Sequence, residues 1–183
     1  FIQSEMPEVL FAGEILGVTG VQDCSVFVRW RIVPGSEHWD LVSGEDDGQT
    51  QVSKLEMDDM AVLAHPLEAH YSTTSVRGWP QLKVEIWGRC LTSELDSRVE
   101  TLGYGTCFLP TQPGMYEVDC VTWAPEGSFT DRVTTFLLGD RLVLEDEQLV
   151  VSSRSRAGFN AVASGTVHLS ISVIVRGFSE LGV

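Results

Sequence analysis

The sequence predicts an all-β protein: an antiparallel β-sandwich with one short helix. Three observations carry this prediction. The runs Ser25–Val33, Gln81–Trp87 and Val167–Val175 alternate their side chains with a period of two, as strands buried on one face do. Turn punctuation separates the apolar runs, at Pro34-Gly35, Ser43-Gly44, Asp47-Gly48, Gly78-Trp79-Pro80, Gln112-Pro113-Gly114 and Glu126-Gly127. The helices that parallel crossovers would require are missing.

Each element follows in chain order. Residues 1–8 are read as a flexible start or a remnant foreign to the fold, and residues 9–183 as a single domain. Val9–Leu16 is a first, weaker strand. In Ser25–Val33 the residues Val26, Val28, Trp30 and Ile32 share one face, and Phe27, Arg29, Arg31 and Val33 share the other. Leu41–Val42, Thr50–Lys54 and His65–Tyr71 are further weak strands. Gln81–Trp87 points Leu82, Val84 and Ile86 one way and Gln81, Lys83 and Glu85 the other. Gly105–Leu109 and Tyr116–Trp123 follow, with Gly103 and Gly105 placed to ease a bend or bulge. The helix is expected over Ser128–Leu138, with Ser128 as N-cap, Gly139 as stop and Phe129, Val133, Phe136 and Leu137 on one stripe. The last strand directs Val167, Leu169, Ile171, Val173 and Val175 inward and His168 outward. Ser43–Asp47, Thr92–Arg98 and Ser152–Gly158 are expected to be the mobile loops.

Charge excludes one class of partner. Twelve Lys and Arg against 26 Asp and Glu leave a net charge of −14, which repels nucleic acid. The acids concentrate between Glu37 and Glu68, where Lys54 is the one Lys or Arg. Arg154, Arg156 and Arg176 dominate the C-terminal stretch from Gln148 onward. The molecule is therefore expected to present one acidic and one mildly basic face.

The residues point to no active site. Cys24, Cys90, Cys107 and Cys120 form no C-x-x-C pair, so zinc-site spacing is absent. They read as reduced, buried small hydrophobes, which favours the cytosol, although a disulfide between distant cysteines stays open. His65 and His70 fall on opposite faces of one strand. Gly103-Tyr104-Gly105 lacks the third glycine of a dinucleotide fingerprint, and no G-x-S-x-G occurs. No D-x-D exists to seed a calcium loop. The expectation is no catalysis, no metal and no cofactor. The candidate contact residues, for a protein partner or a lipid surface, are Phe27, Arg29, Arg31, Arg154, Arg156 and Arg176. Phe27 and Val33 lie on the face away from the core and need cover, from the helix or from a partner. Each arginine contributes about 1 kcal/mol near an anionic membrane, so any membrane-surface contact is expected to be weak.

Several segments together resemble the B9-domain family of ciliary proteins. They are Gly13–Gly20 (GEILGVTG), Gly48–Val52 (GQTQV), Ala64–His70 (AHPLEAH), Gly78–Trp87 (GWPQLKVEIW), Gly103–Pro110 (GYGTCFLP) and Gly165–Phe178 (GTVHLSISVIVRGF). The acidic stretch Thr92–Glu100 is longer than the family pattern leads one to expect. The resemblance implies a sandwich similar to synaptotagmin-type lipid-binding domains. It also implies a non-enzymatic scaffold in the cytoplasm at the base of the cilium, in the transition zone or basal body. Its implied partners are B9 paralogues, in a hetero-oligomer, and the Meckel syndrome and tectonic proteins. That assembly would gate the admission of membrane proteins and support ciliogenesis. The alternative is a peripheral membrane module that binds anionic lipid through a sandwich loop or basic face; an enzyme on a sandwich scaffold ranks last. The shared tryptophans Trp79 and Trp87 are expected to anchor the sandwich at the start and end of a strand.

Overall fold

The computed structural model describes residues 6–21, 25–55, 59–93, 96–125 and 161–178. They form ten strands: β1 (Glu8–Thr19), β2 (Ser25–Val33), β3 (Trp39–Gly44), β4 (Asp47–Gln49), β5 (Ser53–Lys54), β6 (Met60–Thr73), β7 (Gln81–Ser93), β8 (Asp96–Phe108), β9 (Gly114–Pro125) and β10 (Ala161–Arg176). All pairings are antiparallel, in the order β3-β6-β1-β10-β9-β8-β7-β2-β4, with β5 also on β2. The predicted helix Ser128–Leu138 and the loop Ser152–Gly158 lie outside the described residues.

The sheet curls on itself and behaves as two layers. One is β3-β6-β1-β10-β9 and the other β8-β7-β2-β4. They meet at two joints. At the first, β8 and β9 share only the pairs Tyr104↔Trp123 and Gly105↔Thr122. At the second, the chain runs from β3 on one layer straight into β4 on the other. Its corner is pinned by backbone bonds from Glu45 N to Glu68 O (2.9 Å) and from Ile32 N to Asp46 O (2.6 Å). The expected mobile loop at Ser43–Asp47 is therefore a tied corner. The Asp47-Gly48 turn is a strand instead, and the reversal occurs at Gly44 to Asp46.

Alternation fills the space between the layers. Val26, Val28, Trp30 and Ile32 of β2, Leu82, Val84 and Ile86 of β7, and Val167, Leu169, Ile171 and Val173 of β10 join one buried cluster. β1 adds Val9, Phe11, Ile15 and Val18. One end is closed by aromatic rings: Trp79 packs edge-on against Trp39 at 5.1 Å and Phe11 at 6.0 Å, and tilts over Phe178 at 6.0 Å. Trp79 is thus an anchor, as expected. Trp87 is not. It lies within β7 on the outward face, because the strand runs on to Ser93. The described residues of the expected loop Thr92–Arg98 are likewise strand: Thr92 and Ser93 end β7, and Asp96, Ser97 and Arg98 begin β8, with Ser93 opposite Asp96. The stretch holds no Gly or Pro to end the strands, and the β-branched Thr92 suits a pleated backbone.

Candidate interaction surface

The outward face of β2 carries Phe27, Arg29 and Arg31 at alternate positions. Register sets each opposite a residue of β7: Phe27↔Trp87, Arg29↔Glu85 and Arg31↔Lys83. These cross-strand pairs build the surface. Phe27 and Trp87 stack with centroids 6.2 Å apart and planes 13° from parallel. The Arg29 guanidinium sits 4.5 Å from the Trp87 ring centroid, in cation–π range. Arg29 Nε also donates to Gln49 Oε1 at 3.1 Å, so the guanidinium is held from two sides.

Glu85 organises the middle of the patch. One carboxylate oxygen lies 3.1 Å from Lys83 Nζ, and the other accepts from Trp87 Nε1 at 3.1 Å. Lys83 is only 7% exposed although it faces away from the core. An ammonium so buried needs a charged partner, which Glu85 supplies. Arg31 meets Asp47 at 3.5 Å with both side chains more than half exposed, a pair of little energetic consequence. Between β4 and β7 these side chains border a shallow depression of about 360 Å³. Phe27, the residue that needed cover, is 7% exposed, with the Trp87 ring stacked on it.

The other candidates do not gather here. Arg176 ends β10, separated from β2 by β9, β8 and β7. Arg154 and Arg156 lie outside the described residues. Conversely, Lys83, Glu85 and Trp87 belong to the patch but were not singled out for it. Their alternation was legible, but only the β2–β7 register reveals which side chains they meet.

A second polar constellation crosses the other layer. His168 Nδ1 and Asp119 Oδ1 are 2.7 Å apart, and His168 Nε2 and Thr19 Oγ1 are 2.8 Å apart. The order carboxylate–imidazole–hydroxyl is that of a hydrolytic triad, but the Asp119 side chain is 69% exposed on an open strand face. Solvent screens it there, and the three groups serve to clip β1, β10 and β9 together. His65 and His70 point to opposite sides of β6, as expected: His65 packs near Trp30 at 6.1 Å, and His70 reaches Glu8 at 3.4 Å. Among the described residues no helix is long and apolar enough to cross a membrane, and no group of His, Cys, Asp and Glu is placed to hold a metal ion.

Residues 9–174 match the family described as "Ciliary basal body-associated, B9 protein". The chain belongs to the B9 family. Mouse B9 domain-containing protein 2 is 36% identical over 178 residues, spanning 97% of this chain and 99% of the mouse protein. The Drosophila melanogaster protein of the same name is 31% identical over 180 residues, 97% of this chain and 98% of its own. B9 domain-containing protein 1 of Xenopus laevis is 24% identical over 160 residues, 86% of this chain and 78% of its own. This is a ciliary B9-family protein, with a paralogue relationship inside the family, and the B9 family is not an enzyme family.

Proposed function

We propose that this B9-family protein is a non-enzymatic scaffold of the ciliary transition zone, that residues 9–183 act as one unit, and that it works by binding its B9 paralogues in a hetero-oligomer. The observation that carries this is the preorganised pair Trp87 and Arg29, seated over the buried Phe27 ring. Aromatic rings and arginine are the residues enriched at the centres of protein interfaces, and here stacking and the Gln49 bond already hold them in place. Arg31 extends the patch. The exposed acids Glu37, Asp40, Glu45 and Glu68 lie along and beside β3 and β6, in the other layer. Cationic and anionic faces on one molecule favour ordered head-to-tail contact between similar subunits. In this reading the Meckel syndrome and tectonic proteins connect the assembly to the membrane, where it gates the admission of membrane proteins and supports ciliogenesis.

The test is co-expression with the paralogues followed by size-exclusion chromatography, comparing the wild-type chain with Arg29→Glu/Arg31→Glu. The wild type is expected to share a peak at micromolar concentration, and the double variant to lose it. A wild-type chain that elutes alone beside every paralogue would overturn the scaffold reading; an unaffected variant would move the interface off β2. Arg29 and Arg31 also favour the alternative, a lipid contact. Two arginines contribute about 2 kcal/mol at an anionic surface, against the repulsion of a −14 chain. Strong sedimentation with phosphatidylserine vesicles at physiological salt would make the lipid reading the better one.

A further inference from the structure

The two layers part at the β8–β9 joint, and two cysteines sit at the parting. Continuing the register of Tyr104↔Trp123 and Gly105↔Thr122 by two residues sets Cys107 opposite Cys120. Both face inward. Cys107 is paired with the core position Leu82 across β7, and Cys120 with Val167 across β10. Both are free thiols, Cys107 half-buried and Cys120 fully buried. Gly105 brings the strands close: a methyl group there would lie 3.0 Å from Val121 O and 3.1 Å from Cys120 Sγ. Were the ladder spacing of about 4.5–5.5 Å between Cα atoms to continue to these two residues, it would lie inside the range of about 4.4–6.8 Å that a disulfide spans.

We propose that Cys107 and Cys120 are an oxidisable pair, converted to a disulfide by exchange with a small disulfide such as oxidised glutathione. The bond staples the two layers where only two residue pairs otherwise join them. Cys107 is the attacking thiol, being the more accessible. Its thiolate is also stabilised by the neighbouring Cys120 thiol, while the same interaction and burial push the Cys120 thiol up. The Cys107 thiolate attacks one sulfur of oxidised glutathione, forming a mixed disulfide and expelling one glutathione thiolate. Capping Cys107 removes the interaction that held the Cys120 proton. Cys120 then loses that proton to water and attacks the Cys107 sulfur, and the second glutathione thiolate leaves. Two protein thiols and one glutathione disulfide become one protein disulfide and two glutathione thiols.

The purified full chain is to be equilibrated in buffers of oxidised and reduced glutathione, quenched with an alkylating reagent and digested for mass spectrometry. A linked peptide pair containing Cys107 and Cys120 is expected, with an unfolding midpoint raised by about 5 °C in the oxidised chain. Cys120→Ser is expected to trap glutathione on Cys107, and Cys107→Ser to leave Cys120 unmodified. Cys120→Ala, which adds no polar group to the core, repeats the trapping test should Cys120→Ser fail to fold. Absence of the linked pair in oxidised wild type would overturn the proposal, as would glutathione on Cys120 in Cys107→Ser.

Discussion

Single side chains decide two features of this molecule. Glu85 holds the buried Lys83 ammonium and the Trp87 indole at once. Glu85→Ala is expected to lower stability by about 2 kcal/mol, below the full cost of stranding a buried charge because Lys83 keeps further contacts. Denaturant unfolding checks this, and a loss under 0.5 kcal/mol (about the scatter of a neutral surface change) would show that Glu85 does not hold the patch. Tyr71 presents the opposite case. It is 1% exposed and packs against Phe11 and Trp39, yet its hydroxyl has no hydrogen-bond partner among the described residues. Burial and the nearby Asp46 carboxylate both disfavour the phenolate, raising its pKa. Tyr71→Phe removes an unsatisfied buried group and keeps the ring. The expected result is unchanged or increased stability, by about 1 kcal/mol, and a clear decrease would mean the hydroxyl is satisfied in solution.

At the scale of elements, the corner between β3 and β4 is the most exacting piece. Gly44 has φ of +85°, and a methyl group on it would lie 2.3 Å from Glu68 O. Gly44→Ala is therefore expected to cost about 2 kcal/mol or more, because left-handed strain and a backbone clash add. A thermal melt within a degree of wild type would refute this account of the corner. The long strands were legible: the runs Ser25–Val33, Gln81–Trp87 and Val167–Val175 within β2, β7 and β10 alternate with a period of two, and every predicted inward residue of β2 is buried. The corner was not, since Asp47-Gly48 reads as a turn by composition, whereas bonds from β2 and β6 fix the reversal just before it. The interaction patch was half legible for a related reason. Phe27, Arg29 and Arg31 stand out within their own strand, but their partners on β7 depend on a register that one sequence does not display.

At the largest scale, the exposed acids Glu37, Asp40, Glu45 and Glu68 lie along one layer, while Arg29 and Arg31 stand on β2 of the other. If the exposed acids beside β3 and β6 meet cationic patches on neighbouring subunits, association with a paralogue should slow as salt rises from about 50 to 500 mM, since the screening length falls from roughly 14 to 4 Å. The dissociation rate should change far less, because the stacked aromatic centre is insensitive to screening. Stopped-flow association at several salt concentrations tests this, and a salt-independent on-rate would remove electrostatics from the assembly mechanism. The fold class and family were readable from scattered motifs. The division of labour between the layers was not, because it arises from pairings between distant segments.

The placement of β1 has a consequence for how the chain is made. β1 lies inside its layer, between β6 and β10, and pairs along almost its whole length with a strand from the far end of the chain. During synthesis β1 emerges well before β10, one of its two ladder partners, which follows all the other described strands. Until β10 arrives, an apolar strand carrying Val9, Phe11 and Ile15 has an open hydrogen-bonding edge, the kind of edge that recruits other chains. Nascent chains halted before residue 161 should therefore bind chaperones and aggregate, and folding should complete as a single late step upon delivery of β10, slowly, as suits pairing between remote segments.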